Sequence, residues 1–251
     1  GLLQGDFGRS SVFGEPVSDL IISRMPVALY FGILTSIFSY GICLPLGILK
    51  AIKHRTPIDN VSSILIFLGY AIPGFALGAL ALVYFGAVKP IFPMIGLTSE
   101  NFDSMNAFGK IKDLAWHSVL PLVSYLVGAF AWMTMMMKNN LMDNLAADYV
   151  RTAVAKGVGF NRAVFNHAFR NSFIPIASSL GQLITLIVTG SLLIETVFDI
   201  QGFGLLQFRA ITAPDQMLIM GTLTVASFLM VMGNILSDLI VAFVDPRVKF
   251  H

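Results

Sequence analysis

An all-α fold, a polytopic bundle of membrane-spanning helices, is what this sequence predicts, and three observations carry the prediction. The 251 residues are 56% hydrophobic and only 12% charged, with a mean hydropathy of +0.79. An ordinary soluble domain carries about 25% charged residues, so this chain has too little charge to cover a water-facing surface. Five stretches of bilayer length hold no Asp, Glu, Lys or Arg, apart from one aspartate in the last. About 20 apolar residues suffice to cross the hydrocarbon layer as a helix. Finally, lysine and arginine are shared unevenly between alternate connections, as topogenic charge is. The runs are continuous, without the in–out alternation of a β-barrel. High hydrophobicity excludes a disordered chain. A scattered net charge of +2 leaves no nucleic-acid footprint. The single cysteine, Cys43, can form no intrachain disulfide.

Taken in order, residues 1–24 are a polar segment in which Glu15-Pro16 marks a helix start, proline suiting the first helical position. Val17, Leu20 and Ile21 form a short apolar stripe that stops at Arg24-Met25-Pro26, so a separate interfacial helix is expected there. The spans follow at 25–49, 60–88, 114–137, 171–194 and 216–244, the last interrupted only by Asp238. Pro45, Gly69, Pro73, Gly74 and Gly78 lie inside them. They would weaken a soluble helix, but in a bilayer neighbouring helices satisfy the freed backbone groups. The connections are 89–113, whose Phe92, Pro93, Phe102 and Phe108 suit packing on the bundle ends, then 138–170, and then 195–215.

The connection between the first two spans holds Lys50, Lys53 and Arg55. That between the third and fourth holds Lys138, Arg151, Lys156, Arg162 and Arg170, and the tail adds Arg247 and Lys249. The other face has Arg9, Arg24, Lys89, Lys110, Lys112 and Arg209, spread over longer segments. The richer face is assigned to the cytoplasm, which puts residues 1–24 outside and the C-terminus inside. Residues 1–24 contain no signal peptide and no initiator methionine. A first spanning helix missing from this chain is therefore expected, for six spans in all with both termini inside.

The cytoplasmic segment 138–170 carries the most pattern. Ala146, Ala147, Val150, Ala153, Val154 and Gly157 recur at helical spacing as one stripe of small apolar residues. Lys156 suits the negative helix end, and Gly157 the left-handed position after it. A second helix is expected with Asn161 as cap and Val164, Phe165, Ala168 and Phe169 on one face. The product is a helix–glycine–helix elbow, and periodicity allows two readings of its stripe. It packs under its own spans, or it docks into a partner's groove.

Catalytic chemistry is absent. No G-x-x-x-x-G-K-[ST] loop, H-E-x-x-H or G-x-S-x-G motif occurs, and the four histidines are dispersed without cysteine partners. No catalytic residue, metal site or cofactor is expected in this chain. Within the spans, Gly74-x-x-x-Gly78 has close-packing spacing. Tyr70, Pro73 and Gly74 alternatively make a bend beside a pathway. Asp238 is a functional candidate as an intramembrane acid, or simply reaches interfacial water from its last turns.

Asp148-Tyr-Val-Arg-Thr-Ala-Val-Ala-Lys-Gly157, followed by His167-Ala-Phe-Arg-Asn171 and Ile174-Pro175, resembles the permease signature of bacterial ABC importers of the dipeptide/oligopeptide group. Gly5-Asp-Phe-Gly-Arg-Ser10, Leu44-Pro-Leu-Gly-Ile48, Gly202-Phe-Gly-Leu-Leu206 and Val244-Asp-Pro-Arg247 extend the likeness over nearly the whole chain. Gly69-Tyr-Ala-Ile-Pro73, Asn101-Phe-Asp-Ser104 and Trp116-His117 are most similar to the group's Yej-type branch, associated with microcin C and peptide uptake. The resemblance implies the type I importer permease fold, one transmembrane domain over residues 1–251, and a place in the bacterial inner membrane. It also implies partners: a homologous second permease, two ATPase domains that carry ATP and Mg, and an extracytoplasmic solute-binding protein. The ATPase-docking element would be Ala146, Ala147, Asp148, Tyr149, Val150, Arg151, Thr152, Ala153, Ala155, Lys156 and Gly157. Ala153 and Gly157 match the family's alanine and glycine positions. The broad importer signature begins Glu-Ala-Ala where Arg151-Thr152-Ala153 stand here, a form common in the peptide group.

The function this implies is inward movement of peptides or peptide-like solutes, powered by ATP hydrolysed on separate subunits. The alternatives are a secondary transporter or channel working without an ATPase, and a structural membrane scaffold. A stoichiometric ATPase should co-purify only under the first. The charge asymmetry makes a topological prediction. Single cysteines at Asn60 and Asn161 should react with a membrane-impermeant thiol reagent only from the cytoplasm, and one at Ser99 only from outside. Cytoplasmic labelling at Ser99 would overturn the orientation.

Overall fold

The computed structural model describes residues 6–179 and 191–244. The chain divides into two compact units that alternate along the sequence. The first takes Gly1–Thr35, Ile72–Val127 and Leu183–Val231, and the second Ser36–Ala71, Gly128–Gln182 and Met232–His251. Among the described residues the elements are helical. They are α1 (Val17–Ile52), α2 (Pro57–Ala71), α3 (Gly74–Val88), α4 (Ala107–Ala146), α5 (Asp148–Ala155), α6 (160–178), α7 (Leu192–Val197), α8 (Phe203–Thr212) and α9 (Gln216–Val244). Of these, α1, α4 and α9 are long and apolar enough to cross a membrane, and α2 with α3 forms an apolar pair bent by 86°, either a broken span or a re-entrant loop. Of the predicted span 171–194, residues 180–190 lie outside the described residues.

Helices outrun the apolar stretches that predicted them. Hydropathy reports which residues tolerate hydrocarbon, and a helix does not stop where the charges begin. Thus α4 starts at Ala107, ahead of Lys110, Lys112 and Asp113, and continues past Lys138 to Ala146. The expected separate interfacial helix is not there: Val17 to Phe38 is one helix that runs through Pro26. Proline removes a single N–H donor. The cost is offset because Val17, Leu20, Ile21 and Ala28, on both sides of Pro26, are buried together against Phe203, Leu206, Ala210 and Leu218. Conversely, the span expected at 60–88 is broken at Ile72–Pro73, where Pro73 has an extended backbone (φ −55°, ψ 134°) and caps α3. The helix cannot form its ladder across that proline, which has no N–H to donate.

In the first unit, Gly74 and Gly78 set α3 against α4. A Cβ on Gly74 would lie 2.3 Å from the Ser124 carbonyl oxygen, and one on Gly78 would lie 2.6 Å from its Oγ. A second buried group, Phe31, Leu120, Ile194, Phe198 and Ile200, joins α1, α4 and α7. Phe92 of the 89–106 connection stacks 4.6 Å from Trp116, whose Nε1 donates to the Ile91 carbonyl at 3.1 Å, while Phe108 stays exposed. Asp215 fastens the polar N-terminal segment. It accepts from the Leu218 N–H at 3.1 Å, capping α9, and from the Val12 N–H at 3.1 Å and the Ser10 hydroxyl. Burial alone would raise its pKa, but these hydrogen bonds more than offset that and hold the carboxyl below the usual range.

In the second unit, α1 widens into a π-helical turn at Ser39–Cys43 just before Pro45. The extra residue relieves the clash that a proline makes with the carbonyl four residues back. Ala51, Met137, Leu141, Val150, Ala163, Val164, Ala168 and Ile176 form the core of this unit.

Glu195, the first residue after the predicted fourth span, is 1% exposed. Its carboxylate accepts from the Leu205 N–H at 2.8 Å, near the start of α8, and from the Tyr125 hydroxyl at 3.3 Å. Burial pushes its pKa up to about 7 from 4.5, and the hydrogen bonds pull it only part of the way back. The folded chain therefore keeps a proton that the unfolded chain releases. Its stabilising effect is complete below about pH 4.5 and is lost as pH rises through about 7, with at most about 3 kcal/mol at stake. The melting temperature in detergent should fall between about pH 5 and 8 in the wild type. In Glu195→Gln the fall should be much smaller, since the amide stays neutral. Parallel pH profiles would contradict this account of Glu195.

Candidate functional site

The candidate site is the elbow formed by α5 and the start of α6, within the second unit. α4 ends at Ala146, and Ala147 turns to an extended conformation (φ −71°, ψ 147°) as the N-cap of α5. Its carbonyl accepts from the N–H groups of Val150 and Arg151 at 3.1 and 3.2 Å. Asp148 stands in the first turn, where the helix dipole favours a negative charge. The far end closes on glycine. Gly157 has φ +89°. Its N–H donates to the Val154 carbonyl at 2.9 Å, and that of Val158 to the Ala153 carbonyl at 3.1 Å. This paired closure needs a left-handed residue. A Cβ at Gly157 would meet nothing within 4 Å, so backbone conformation rather than crowding calls for glycine.

The stripe read as one surface divides in two. Ala146 belongs to α4 and Ala147 is the cap between helices, so neither continues the α5 face. Val150 is 3% exposed and packs into the core with Met137, Leu141, Ala163 and Val164, while Ala153 is half-buried. Tyr149, Arg151, Thr152, Val154, Ala155 and Lys156 are exposed. One side of α5 thus anchors the elbow and the other is presented outward. The Asp148–Arg151 pair, 4.0 Å apart with both side chains largely exposed, adds little.

α6 also departs from its predicted face. Gly159, not Asn161, is its N-cap residue, and Asn161 lies in the first turn. Ala163–Ala168 is π-helical. The wider turn rotates the buried face, so that Ala163, Val164 and Ala168 are wholly buried and Phe165 is 52% exposed. A polar strut closes the elbow. The Tyr149 hydroxyl donates to Asn144 Oδ1 at 2.6 Å and accepts from Asn171 Nδ2 at 3.1 Å, linking α4, α5 and α6. Ser172 Oγ adds a bond to the Asn140 carbonyl at 3.1 Å.

The remaining candidates are not gathered with the elbow. Tyr70 is 59% exposed near the end of α2. Pro73 is the break before α3, Gly74 touches Ser124, and Asp238 lies on an exposed face of α9.

Sequence reasoning missed a buried ionic cluster at Asp59. The cluster joins Lys50 at the end of α1, Asp59 in the first turn of α2 and Lys138 of α4, exposed by 0%, 2% and 7%. Lys138 Nζ donates to both carboxylate oxygens at 2.7 and 2.8 Å, and Lys50 Nζ lies 3.0 Å from Oδ1. Charges this deep persist only when paired and hydrogen-bonded. In sequence, Lys50 and Lys138 are indistinguishable from topogenic charge, and Asp59 carries no local signal. Asp59 and Lys138 are 79 positions apart, so no local motif reveals them. Among the described residues, no group of three or more His, Cys, Asp or Glu side chains is placed to hold a metal ion.

Comparison with known proteins gives the family context. Residues 43–250 match the family described as binding-protein-dependent transport system inner membrane component. The chain is 40% identical over 249 residues to the peptidoglycan transport system permease protein YejB of Agrobacterium fabrum (strain C58 / ATCC 33970), covering 98% of this chain and 68% of that one. It is 39% identical to the inner membrane ABC transporter permease protein YejB of Escherichia coli O157:H7, with the same coverage. It is 33% identical to the oligopeptide transport system permease protein AppB of Bacillus subtilis (strain 168), covering 99% of this chain and 78% of the relative. Among solved structures, a chain of the MetNI methionine ABC transporter in an inward-facing conformation superposes with a TM-score of 0.68 at 16% identity, covering 90% of this chain and 96% of that one. That likeness speaks to the fold.

Proposed function

This chain belongs to the family of binding-protein-dependent transport system inner membrane components, and from that premise we propose that it imports peptides or peptide-like solutes as half of an ATP-driven translocation pathway. The predicted spans 25–49, 60–88, 114–137, 171–194 and 216–244 cross the inner membrane, with the elbow and the C-terminus in the cytoplasm. ATP and Mg are bound and used on separate ATPase subunits. A homologous second permease completes the pathway, and an extracytoplasmic binding protein delivers the solute. The solute class is supported by relatives named for peptidoglycan and for oligopeptide transport, since peptidoglycan carries short peptides and an oligopeptide is one.

The observation that carries the coupling role is the construction of α5. Val150 roots it in the core, Tyr149 braces it to both neighbouring helices, and Gly157 fixes its exit angle. Val154 and Ala155 remain exposed between Arg151 and Lys156. A short, rigid, amphipathic projection of this kind transmits force in both directions. The ATPase engages the outward face, and its closure and opening shift the bundle between outward-open and inward-open states. Such a partner shifts the equilibrium only through its differential affinity for the two states.

Gly157→Val should distort the elbow, because a β-branched residue is a genuine outlier at φ +89°. Val154→Asp should place a charge on the docking face, where it is desolvated without a partner. Both variants should insert at near-normal abundance, since neither position lies in a span. Uptake of a labelled peptide pool should fall by about an order of magnitude or more, equivalent to roughly 1.4 kcal/mol of lost coupling. The exposed Asp143→Asn on α4 should transport normally. Wild-type uptake by both elbow variants, with the ATPase bound, would remove α5 as the coupling element.

A further inference from the structure

The Asp59 cluster is asymmetric in a way that a simple structural pin is not. Lys50 Nζ has three neutral acceptors on α2, each at 2.8 Å: the Asp59 carbonyl and the Ser62 and Ser63 hydroxyls. The Asp59 carboxylate is its fourth, at 3.0 Å. Lys138 Nζ has the carboxylate alone among the described residues. The carboxylate is further held by the Arg55 N–H at 3.1 Å and by His54 Nδ1 at 3.3 Å. Arg55 sits at φ 62°, so the α1–α2 turn is itself locked around Asp59.

The two lysines are therefore not equivalent. Lys50 is fully buried and satisfied within the α1–α2 hairpin. Lys138 is 7% exposed, at the edge of the cluster, and a long flexible stem lets its ammonium reach water. If Lys138 withdraws, Asp59 keeps Lys50, Arg55 and His54, and no unpaired buried anion is left behind. Opening the bond between α4 and the hairpin leaves the anion compensated, whereas breaking the bonds inside the hairpin does not. Lys138 also lies on the uninterrupted helix that carries Asn144 and ends at Ala146, directly before the elbow. Ala146 lies eight positions along the helix from Lys138, about 12 Å at the helical rise. Motion of α5 is thus delivered to Lys138 by a rigid lever.

We propose that Lys138 and Asp59 form a releasable latch, with Lys138 the positioning residue whose engagement differs between the nucleotide states of the transporter. The proposal rests on the reading of α5 as the coupling element.

The test uses the complete wild-type permease–ATPase complex and follows reductive methylation of the native Lys138 amine by mass spectrometry. Its rate should differ by at least about tenfold between the nucleotide-free complex and the complex trapped with ATP and orthovanadate. Equal rates would overturn the latch. Introducing Val154→Asp should abolish the difference. A difference that survives Val154→Asp, with the ATPase bound, would overturn the α5 reading on which the latch rests. Lys138→Met should remain abundant in the membrane because Lys50 still neutralises Asp59, whereas Asp59→Asn, which leaves two buried ammonium groups with no anion, should be several-fold depleted. If Lys138→Met is as depleted as Asp59→Asn, the pair is a fixed pin and the proposal fails. Peptide uptake should be lost in Lys138→Met and restored by Lys138→Arg. Normal uptake by Lys138→Met would likewise overturn the proposal.

Discussion

Hydrocarbon offers no hydrogen-bond partners, and this constraint organises the rest of the molecule. Backbone groups at membrane depth must be satisfied within the chain, which accounts for the helical architecture and for how three of the prolines are handled. Pro45 follows a π-helical turn, Pro26 is carried inside α1 by packing on both sides, and Pro73 is placed where the ladder is given up. Charge buried in the protein interior beyond the spans obeys a parallel rule. Asp59 and its two lysines are tolerated because each donor has an acceptor, and Glu195 is tolerated because burial lets it keep its proton near neutrality.

Much of this was legible in the sequence, for identifiable reasons. Hydropathy reports burial in lipid, so the apolar runs located the long helices α1, α4 and α9. It is silent on where a helix stops once charges appear, and so α4 extends beyond the apolar run 114–137 at both ends. Gly157 was legible because a left-handed helix end has few alternatives to glycine. The face of α6 was not, because the π segment at Ala163–Ala168 breaks the 3.6-residue period on which the reading relied. For the same reason the stripe through Ala146 and Ala147 failed, since Ala147 interrupts the helix that the spacing assumed to be continuous. The Asp59 cluster was beyond sequence reasoning of this kind, because its members meet only through tertiary contact.

The elbow has the properties of a mechanical part. Its buried side adds Val150 to the core of the second unit, and its capping bonds leave the exit angle little freedom. The outward side contributes little to the stability of this chain, so residues there are free to serve a partner. That division explains why the small-residue stripe supported two readings at once. Val150 belongs to the packing reading and Val154 to the docking one.

Contact is the most direct test of the central claim, that α5 is where an ATPase engages this permease. A photo-crosslinking amino acid should be placed at Ala155 in the native complex, with the same probe at exposed Asp143 for comparison. Irradiation should yield a major product at position 155 that joins this chain to the ATPase subunit, with a nucleotide-dependent yield. A product at 155 joining only lipid or the second permease, while the ATPase remains bound, would contradict the account.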